Sequence, residues 1–340
     1  MQKYVIGGTL AILFGVGGIA AWWMLDGNDP NGGATHQTIT LATFNIQNLG
    51  RDKPDQPRLA AEIIKQFDVV AIQEVMNYGG GAKGLDAVNK IVEELGDGWA
   101  SVACTEPNGT ESATSGAVHT FEFYAFIYNT TKVQLVGTAR LWDEAANPVG
   151  DLADQERQFD REPFIASFKA VNGNLDFTVI SLHAAAPSKS WRDDEIRRLK
   201  HVYETVQAED PNQNDVFLLG DFNTPVNKSE WGDLKGLSTM THILTKNDKT
   251  TLNKSAGKLS QNQYDTIWYQ SSASAEDVVP NSGQVVSAWR AVADYGDDLT
   301  PPATITDADS KLLWKYGQVV SDHLPVILVL YVDKDTDRFE

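Results

Sequence analysis

One apolar run that ends in an acidic loop constrains this chain more than any other stretch. The run covers residues 216–219 and is followed by the tetrapeptide Gly-Asp-Phe-Asn at 220–223, with Pro225 shortly after. Apolar runs of this length bounded by Gly and Pro predict a buried strand that ends in a loop. Because side chains alternate along a strand, Asp221 and Asn223 would share one face if the extended conformation continued between them.

Two interpretations of this pair are open. Two oxygen-bearing side chains at the end of a strand suit a hard cation or a phosphate, and Gly220 would let the backbone approach a ligand closely. Alternatively, Asp221 and Asn223 form an Asx-turn and bond only to their own backbone. The rest of the chain has to distinguish the two.

Composition limits the possible architectures. The 340 residues, 42% hydrophobic and 22% charged, are enough for one large α/β domain or two small ones, and no internal break requires two. The formal net charge of -18 argues against a protein that coats nucleic acid by bulk charge, although a bound metal can invert the sign of a local site. The single cysteine, Cys104, cannot form an intramolecular disulfide.

The N-terminal segment differs from everything after it. Tyr4 to Leu25 has no charged side chain over 22 residues, close to the ~20 apolar residues that span a bilayer as a helix. We expect residues 1–25 to be a transmembrane anchor with the folded part outside the cytoplasm, in a periplasmic or extracellular location. The alternative is a cleaved signal sequence and a secreted protein. Residues 26–37, rich in Gly, Asn and Asp, predict a flexible linker.

Several polar residues stand at the ends of predicted strands. Residues 39–46 alternate like a strand that ends near Asn45, and the apolar run at 69–72 leads to Glu74. A second group follows the same pattern and comprises His183, Asp265, Asp322 and His323. Helical spacing of apolar residues predicts helices over 59–67, 85–95 and 195–206.

Two further charged residues lie within or just before strands. Glu122 lies in an aromatic-rich strand, where an unpaired carboxylate is costly, so we expect it to have a partner such as a histidine. Arg161 precedes the strand that begins at Phe164. It either binds a phosphate or pairs with a nearby acid such as Glu162.

This set of residues fits the hydrolysis of a phosphodiester. That reaction needs a cation beside the phosphate oxygens, a base that activates water and an acid that protonates the leaving group. Oxygen ligands such as Glu74, Asp221 and Asn45 favour Mg²⁺, Mn²⁺ or Ca²⁺ over zinc. Two histidines, each beside a carboxylate, can divide the acid and base roles near neutral pH.

Seven short motifs, in this order along the chain, resemble those of the endonuclease/exonuclease/phosphatase superfamily. They are Thr-Phe-Asn-Ile (43–46), Gln-Glu-Val (73–75), Arg-Glu-Pro (161–163), Leu-His-Ala-Ala-Ala-Pro (182–187), Gly-Asp-Phe-Asn (220–223), Tyr-Asp (264–265) and Ser-Asp-His-Leu-Pro-Val (321–326). The segments at 161–163 and 182–187 are most similar to the deoxyribonuclease I branch. The resemblance covers residues 38–333 and leaves 334–340 as a charged tail.

The resemblance implies an α/β fold, a four-layer α/β sandwich in which two mixed β-sheets pack face to face between outer helices. It also implies a site at one edge of the sheets. There, Glu74 would bind a divalent metal such as Mg²⁺ or Mn²⁺, with Asn45 and Asp221 adjoining it, and a structural Ca²⁺ is a further expectation. His183 would be the general acid, supported by Glu122.

The same comparison assigns the remaining site residues. His323 would be the general base, oriented by Asp265. Arg161 and Asn223 would bind the substrate phosphate, and Asp322 would lie among the metal ligands. The implied activity is a metal-dependent endonuclease, acting as a monomer, with DNA as substrate.

Two departures from the deoxyribonuclease I pattern affect the expected contact with duplex DNA. Gln47 and Met76 stand where pancreatic-type members have arginines that enter the minor groove, and the disulfide of those members is absent. The alternative function is therefore a phosphodiesterase or phosphatase that acts on lipid or inositol-phosphate headgroups.

Overall fold

The computed structural model describes residues 36–51, 53–77, 81–109, 121–143, 146–147, 159–186, 189–210, 214–274, 276–296 and 299–335. Within these ranges the chain forms two six-stranded β-sheets and one two-stranded ribbon, with helices between the strands. Both large sheets are mixed, because each contains one parallel pair among antiparallel neighbours.

The first sheet contains the N-terminal and C-terminal strands of the domain. In spatial order its strands are β13 (Gln284–Val285), β14 (Val326–Tyr331), β1 (Thr38–Leu49), β2 (Val69–Met76), β4 (Glu122–Asn129) and β3 (Trp99–Ala103). Strands β1 and β2 are parallel. Helices α1 (Gln56–Ile64) and α2 (Lys83–Leu95) pack beside this sheet, and α2 ends at Gly96, whose φ of 80° allows the left-handed turn there.

The second sheet is built from the middle of the chain. Its strands, in spatial order, are β5 (Val133–Leu141), β6 (Phe164–Ala170), β7 (Asp176–His183), β8 (Val216–Asp221), β12 (Asp265–Gln270) and β9 (Met240–His242). Strands β7 and β8 are parallel, and helix α3 (Lys189–Glu209) connects them. A short helix α4 (Gly232–Lys235) follows β8.

The remaining elements are short strands, one helix and two 3₁₀ helices. Strands β10 (Leu252–Asn253) and β11 (Lys258–Leu259) form the ribbon. Helix α5 (Ala308–Val319) begins where Asp307 accepts a hydrogen bond from the backbone N–H of Ser310 at 2.8 Å. Two short 3₁₀ helices lie at Ser229–Trp231 and Ala288–Val292.

The main core lies between the two sheets. Aromatic rings from both sheets meet there, including Phe126 of β4 and Phe164 of β6, whose centroids are 5.4 Å apart. A smaller core lies under α3 and contains Trp231 and Trp268. The fold predicted from the sequence, two mixed sheets packed face to face with outer helices, is confirmed.

Strand direction determines which edge of the sandwich contains the site. The parallel pairs β1/β2 and β7/β8 bring the carboxyl ends of four strands to one edge. The antiparallel neighbours β4, β12 and β14 begin at that same edge. Residues at the ends of some strands and the beginnings of others therefore meet, although they are far apart in sequence.

The helix and strand boundaries differ from the sequence predictions in detail. Helix α3 begins at Lys189 and ends at Glu209, beyond the predicted 195–206. Strand β1 continues past Asn45 to Leu49, because its pairing with β2 resumes after a register shift. Strand β3 and helix α5 were not predicted. Their weak signals are compensated by pairing with β4 and packing beside the Ala288–Val292 turn.

The N-terminal predictions concern a part of the chain that the structure does not describe. Residues 1–25 and almost all of 26–37 lie outside the described residues, as does most of the 334–340 tail. Among the helices that are described, none combines the length and apolar character needed to cross a membrane. The anchor and the signal sequence both stay predictions.

Candidate active site

The edge where the strands converge brings together all ten residues that the sequence singled out. Asn45 lies in β1, Glu74 in β2, His183 at the end of β7 and Asp221 at the end of β8. Three strand beginnings supply the rest: Glu122 opens β4, Asp265 opens β12, and Asp322 and His323 precede β14. Arg161 precedes β6, and Asn223 follows β8.

Asp221 lies at the centre of this group. It is 1% exposed, and its Oδ2 accepts a hydrogen bond from Nδ2 of Asn45 at 2.9 Å. The same oxygen is 3.6 Å from Nε2 of His183 and 3.6 Å from Nε2 of His323. The two imidazole nitrogens therefore lie near the same carboxylate oxygen, and they can be no further apart than twice that distance.

His183 belongs to a buried chain of charges. Its Nδ1 is 2.8 Å from Oε2 of Glu122, and Nη1 of Arg161 is 3.4 Å from the other oxygen of that carboxylate. Burial raises the pKa of Glu122, but the positive charges of Arg161 and His183 outweigh burial and lower the pKa to about 2. Glu122 is therefore ionised, and it fixes the His183 ring with Nε2 towards Asp221.

His323 has a carboxylate partner in a different setting. Its Nδ1 is 2.9 Å from Oδ2 and 3.1 Å from Oδ1 of Asp265, which is paired in register with Asp221 on the neighbouring strand. Burial alone would lower the pKa of His323, but the negative charges of Asp265 and Asp221 raise it well above its usual value. Burial and the charge of Asp221 raise the pKa of Asp265, although the charge of His323 opposes them.

Asn45, Glu74 and Asp221 form a cluster of oxygen ligands beside the histidines. Nδ2 of Asn45 donates to Oε1 of Glu74 at 3.0 Å as well as to Asp221. Glu74 has a φ of 59°, unusual for a residue with a side chain, at a register shift in β2. The backbone N–H of Asn48 donates to its Oε2 at 2.7 Å. The strained backbone thus aims the Glu74 carboxylate at Asn45.

The donor set of this cluster fits a hard divalent cation. Oδ1 of Asn45 is buried and accepts no hydrogen bond, which is costly unless an electropositive partner lies beside it. Carboxylate oxygens of Glu74 and Asp221 both accept a hydrogen bond from Nδ2 of the same amide. Asp221 and Asp265 also offer oxygens within 4.8 Å of each other and of a His323 nitrogen. The identity of the metal, like a structural Ca²⁺, stays a prediction.

The loop after Asp221 combines the two interpretations of the Asp221 and Asn223 pair. Asn223 has a φ of 48°, so the strand does not continue and the two side chains do not share a strand face. Instead, the Asn223 N–H donates to Oδ1 of Asp221 at 2.9 Å, an Asx-turn, while Oδ2 faces the histidines. The Asn223 side chain donates to the carbonyl of Ala184 at 3.0 Å. A phosphate contact of Asn223 stays a prediction.

Gly220 allows two neighbouring strands of the second sheet to lie close together. A Cβ at this position, where φ is 143°, would lie 1.9 Å from the carbonyl oxygen of Leu182. The missing side chain therefore lets β8 approach β7. A close approach of a ligand to this backbone stays a prediction.

Arg161 is buried inside the site, 5% exposed, and does not lie on the surface. Its Nε donates to the carbonyl of His183 at 2.9 Å, and its Nη2 donates to the carbonyl of Ala184 at 3.2 Å. Its carboxylate contacts are Glu122 and Asp160. The guanidinium thus supports the His183 loop and Glu122. A role for Arg161 in phosphate binding stays a prediction.

Asp322 contacts residues that the sequence predictions overlooked. Its Oδ2 accepts from Nε2 of Gln47 at 2.9 Å and lies 3.2 Å from Nζ of Lys254. Lys53 lies next in line, with Nζ 3.4 Å from Oε1 of Gln47. Burial and the charge of Lys254 lower the pKa of Lys53 to about 8. The place of Asp322 among metal ligands stays a prediction.

Two other supporting residues were also missed. Glu195 of α3 is fully buried and accepts the backbone N–H groups of Asp160 and Ala185, both at 2.7 Å. Burial raises the pKa of Glu195 to about 7. The hydroxyl of Tyr124 accepts the backbone N–H of His183 at 2.8 Å. An acid within a helix at an apolar-face position is the only sequence signal for Glu195, and Tyr124 resembles any core aromatic.

Comparison with known proteins agrees with this geometry. The chain is 28% identical over 236 residues to a deoxyribonuclease of Thioalkalivibrio sp. (strain K90mix), covering 68% of this chain and 57% of that protein. It is 28% identical over 209 residues to deoxyribonuclease-1 of Rattus norvegicus, covering 58% and 66%. The chain thus spans between half and two thirds of the length of these curated relatives.

The fold is also similar to that of solved structures. A mannosyl-6-phosphatase of Bacteroides thetaiotaomicron superposes with a TM-score of 0.55 at 17% identity, over 86% of this chain and 99% of that one. The model of the endonuclease/exonuclease/phosphatase family matches residues 42–323, which contain every site residue described above. The resemblance seen in the seven motifs is confirmed, and the chain belongs to the endonuclease/exonuclease/phosphatase family.

Proposed function

We propose that this protein is a divalent-metal-dependent nuclease that hydrolyses phosphodiester bonds of DNA. The observation that carries the proposal is the placement of two carboxylate-bound imidazoles, His183 and His323, with both Nε2 atoms 3.6 Å from one oxygen of Asp221. An acid and a base on either side of a shared anionic centre suit an in-line displacement at phosphorus.

The protonation states follow from the Nδ1 hydrogen bonds. Asp265 accepts from Nδ1–H of His323, so the lone pair of the neutral ring is on Nε2, which can take a proton from water. As the water oxygen bonds to phosphorus, the bond from phosphorus to the leaving oxygen breaks. Nε2–H of His183 gives that oxygen its proton, because Glu122 favours the protonated ring.

The metal would be bound by Glu74, Asn45 and Asp221, with Mg²⁺ or Mn²⁺ favoured by their oxygen atoms. When bound there, it neutralises charge on the phosphate oxygens. The protein's own contribution is positional. Asn45 donates to both carboxylates, and the strained Glu74 backbone keeps the second carboxylate beside it.

DNA is proposed as the substrate because two relatives of this chain, each 28% identical over the matched residues, are named deoxyribonucleases. The decisive test is a substrate panel. The full-length chain is incubated in Mg²⁺ with plasmid DNA, RNA, sphingomyelin and inositol polyphosphates, and each reaction is repeated in excess chelator.

Metal-dependent nicking of the plasmid, at a rate well above the rates for the other substrates, is the expected result. A faster reaction with the lipid or the inositol phosphate would replace the nuclease by the headgroup phosphodiesterase or phosphatase. His323→Ala, assayed in parallel, excludes a contaminating nuclease, because that variant should lose the activity.

We propose further that the enzyme works as a monomer outside the cytoplasm, anchored by residues 1–25 or secreted after their removal. Light scattering tests the monomer, and fractionation of cells that express the full-length chain tests the location. Recovery of an N-terminally shortened chain from the medium would favour secretion.

A further inference from the structure

A groove of about 470 Å³ opens where the loop after β1 contacts helix α2. Arg51 and Lys53 line it from the loop, and Lys83 and Lys90 line it from the helix. The loop fits closely because Gly50, with a φ of 91°, lies against the helix backbone, where a Cβ would be 2.6 Å from the amide nitrogen of Gly84.

The charge of this groove contrasts with that of the whole chain. Of the described residues that line it, four are cations and one, Asp86, is an acid, although the formal net charge of the protein is -18. Arg51, Lys83 and Lys90 are exposed. Such a local concentration of positive charge on an acidic protein attracts anions to this surface.

Side-chain contacts connect the groove to the active site. Lys53 lines the groove, and its Nζ is also 3.4 Å from Oε1 of Gln47. Gln47 in turn donates to Asp322, the neighbour of His323, and follows Asn45 by two residues in β1. Lys254 lies on the far side of Asp322, 3.2 Å from it. A chain of cationic and polar groups therefore connects the groove to the catalytic histidine.

Helix geometry spaces the two lysines of α2 along the groove. Lys83 and Lys90 are seven residues apart, which places them on one helix face about 10 Å apart along the axis. That separation is about three base-pair steps of a duplex, where one strand carries a phosphate roughly every 3.4 Å of axis. Regularly spaced cations beside a phosphodiesterase site suit a polyanion better than a single phosphate.

We infer that this groove binds the phosphate backbone of the nucleic-acid substrate next to the scissile bond, with Lys83 and Lys90 contacting flanking phosphates and Lys53 leading the strand to His323. The inference rests on the proposed function, because it names the path of the strand that the site would cut. The groove would also supply contacts to the DNA phosphate backbone in this protein, where Gln47 and Met76 replace the arginines that enter the DNA minor groove in pancreatic-type members of the family.

The test compares two double variants of the full-length chain that change the net charge equally. Lys83→Gln/Lys90→Gln removes the helix side of the groove, and Arg197→Gln/Lys200→Gln removes two cations from α3, which packs on the other sheet. Lys83→Arg/Lys90→Arg keeps the charge. Binding of a fluorescein-labelled 20-base-pair duplex is measured by anisotropy without added metal, over a series of salt concentrations.

We expect Lys83→Gln/Lys90→Gln to weaken duplex binding on the order of tenfold, while the α3 control changes it less than twofold and the arginine variant retains it. The slope of log Kd against the logarithm of the salt concentration should decrease by about 1.8 in this glutamine variant, since each lost phosphate contact accounts for about 0.9. Equal Kd values for the glutamine variant and the α3 control would overturn the inference. The inference would also be overturned if Lys83→Gln/Lys90→Gln lost binding to phosphatidylserine vesicles but still bound the duplex as the wild type does.

Cleavage assays separate this inference from the proposed function. In Mg²⁺, the glutamine variant should lose about tenfold more activity on plasmid DNA than on bis(p-nitrophenyl) phosphate, which has no flanking phosphate. If Lys83→Gln/Lys90→Gln binds the duplex more weakly but the wild type does not cut DNA, the inference about the groove is supported and the proposed nuclease function is refuted. Wild-type DNA cleavage that the glutamine variant keeps in full would refute the groove alone.

Discussion

The two histidines of the site have the same kind of partner and opposite electrostatic surroundings. Glu122, beside His183, also contacts Arg161, and its pKa is lowered to about 2. Asp265, beside His323, faces Asp221 across a strand pair, and burial and that charge raise its pKa. One imidazole therefore belongs to a buried ion-pair network, and the other lies among carboxylates.

Because of this difference, we expect Glu122 to act mainly on the stability of the fold and Asp265 to act mainly on the chemistry of His323. The Glu122 network is neutralised within the protein, so breaking it removes the most buried carboxylate partner of Arg161 and leaves that guanidinium with Asp160. The Asp265 and Asp221 pair keeps excess negative charge beside His323, and any cation bound by Asp221 would reduce that excess and lower the pKa of His323. The predictions below test this contrast.

The largest expected effect is on stability. Glu122→Gln should lower the free energy of unfolding by about 3–5 kcal/mol, because it breaks the buried ion pair of Glu122 with Arg161 and leaves that guanidinium only its contact with the less buried Asp160. Asp265→Asn should cost less than about 2 kcal/mol, because it also removes the repulsion with Asp221. Urea unfolding at pH 7 measures both, and equal losses would show that the two surroundings do not differ.

Acid should reveal the same network. Because the pKa of Glu122 is about 2 in the folded protein against its usual 4.5, folding favours the ionised form. This stabilisation, roughly 3 kcal/mol, is fully present above pH 4.5 and is lost as the pH falls towards 2. The stability difference between wild type and Glu122→Gln should therefore shrink between pH 5 and pH 3. A constant difference would contradict the lowered pKa.

Removal of either imidazole should affect the chemistry strongly. His183→Ala and His323→Ala should each lower kcat at least ~100-fold, equivalent to ~2.7 kcal/mol, because each removes an acid or base from the transition state. His201→Ala is the matched control, since His201 lies in α3 outside the site. Losses below tenfold for both site variants would withdraw the acid and base assignments.

The smallest predicted effect is a shift of the pH dependence of kcat. Asp265→Asn removes a charge that raises the pKa of His323, so the acid limb, where the base must lose its proton, should move to lower pH by about one unit. Glu122→Gln lowers the pKa of His183 in the same way, so the basic limb should move down instead. Movement of the basic limb in Asp265→Asn together with movement of the acid limb in Glu122→Gln would reverse the two roles.

Much of the site could be predicted because its residues terminate recognisable strands. Asp221 follows an apolar run, Glu74 and His183 end two others, and each run is long enough to be identified as a buried strand. Their order along the chain was sufficient to indicate the family. The position of Glu122 in an aromatic-rich strand predicted a partner such as a histidine. The resemblance was needed to identify that partner as His183, since the two residues are separated by 61 positions.

The sequence by itself determined the strand ends, the family and the acid, base and metal-ligand candidates, because apolar periodicity and short motifs are local properties. Tertiary structure alone decided that Asp221 forms an Asx-turn and faces both histidines, that Gly220 lets two strands approach, and that Arg161 is buried. It also gathered Lys53, Lys83 and Lys90 into one groove. Those features depend on which distant segments meet, and sheet pairing determines that only when the whole domain folds.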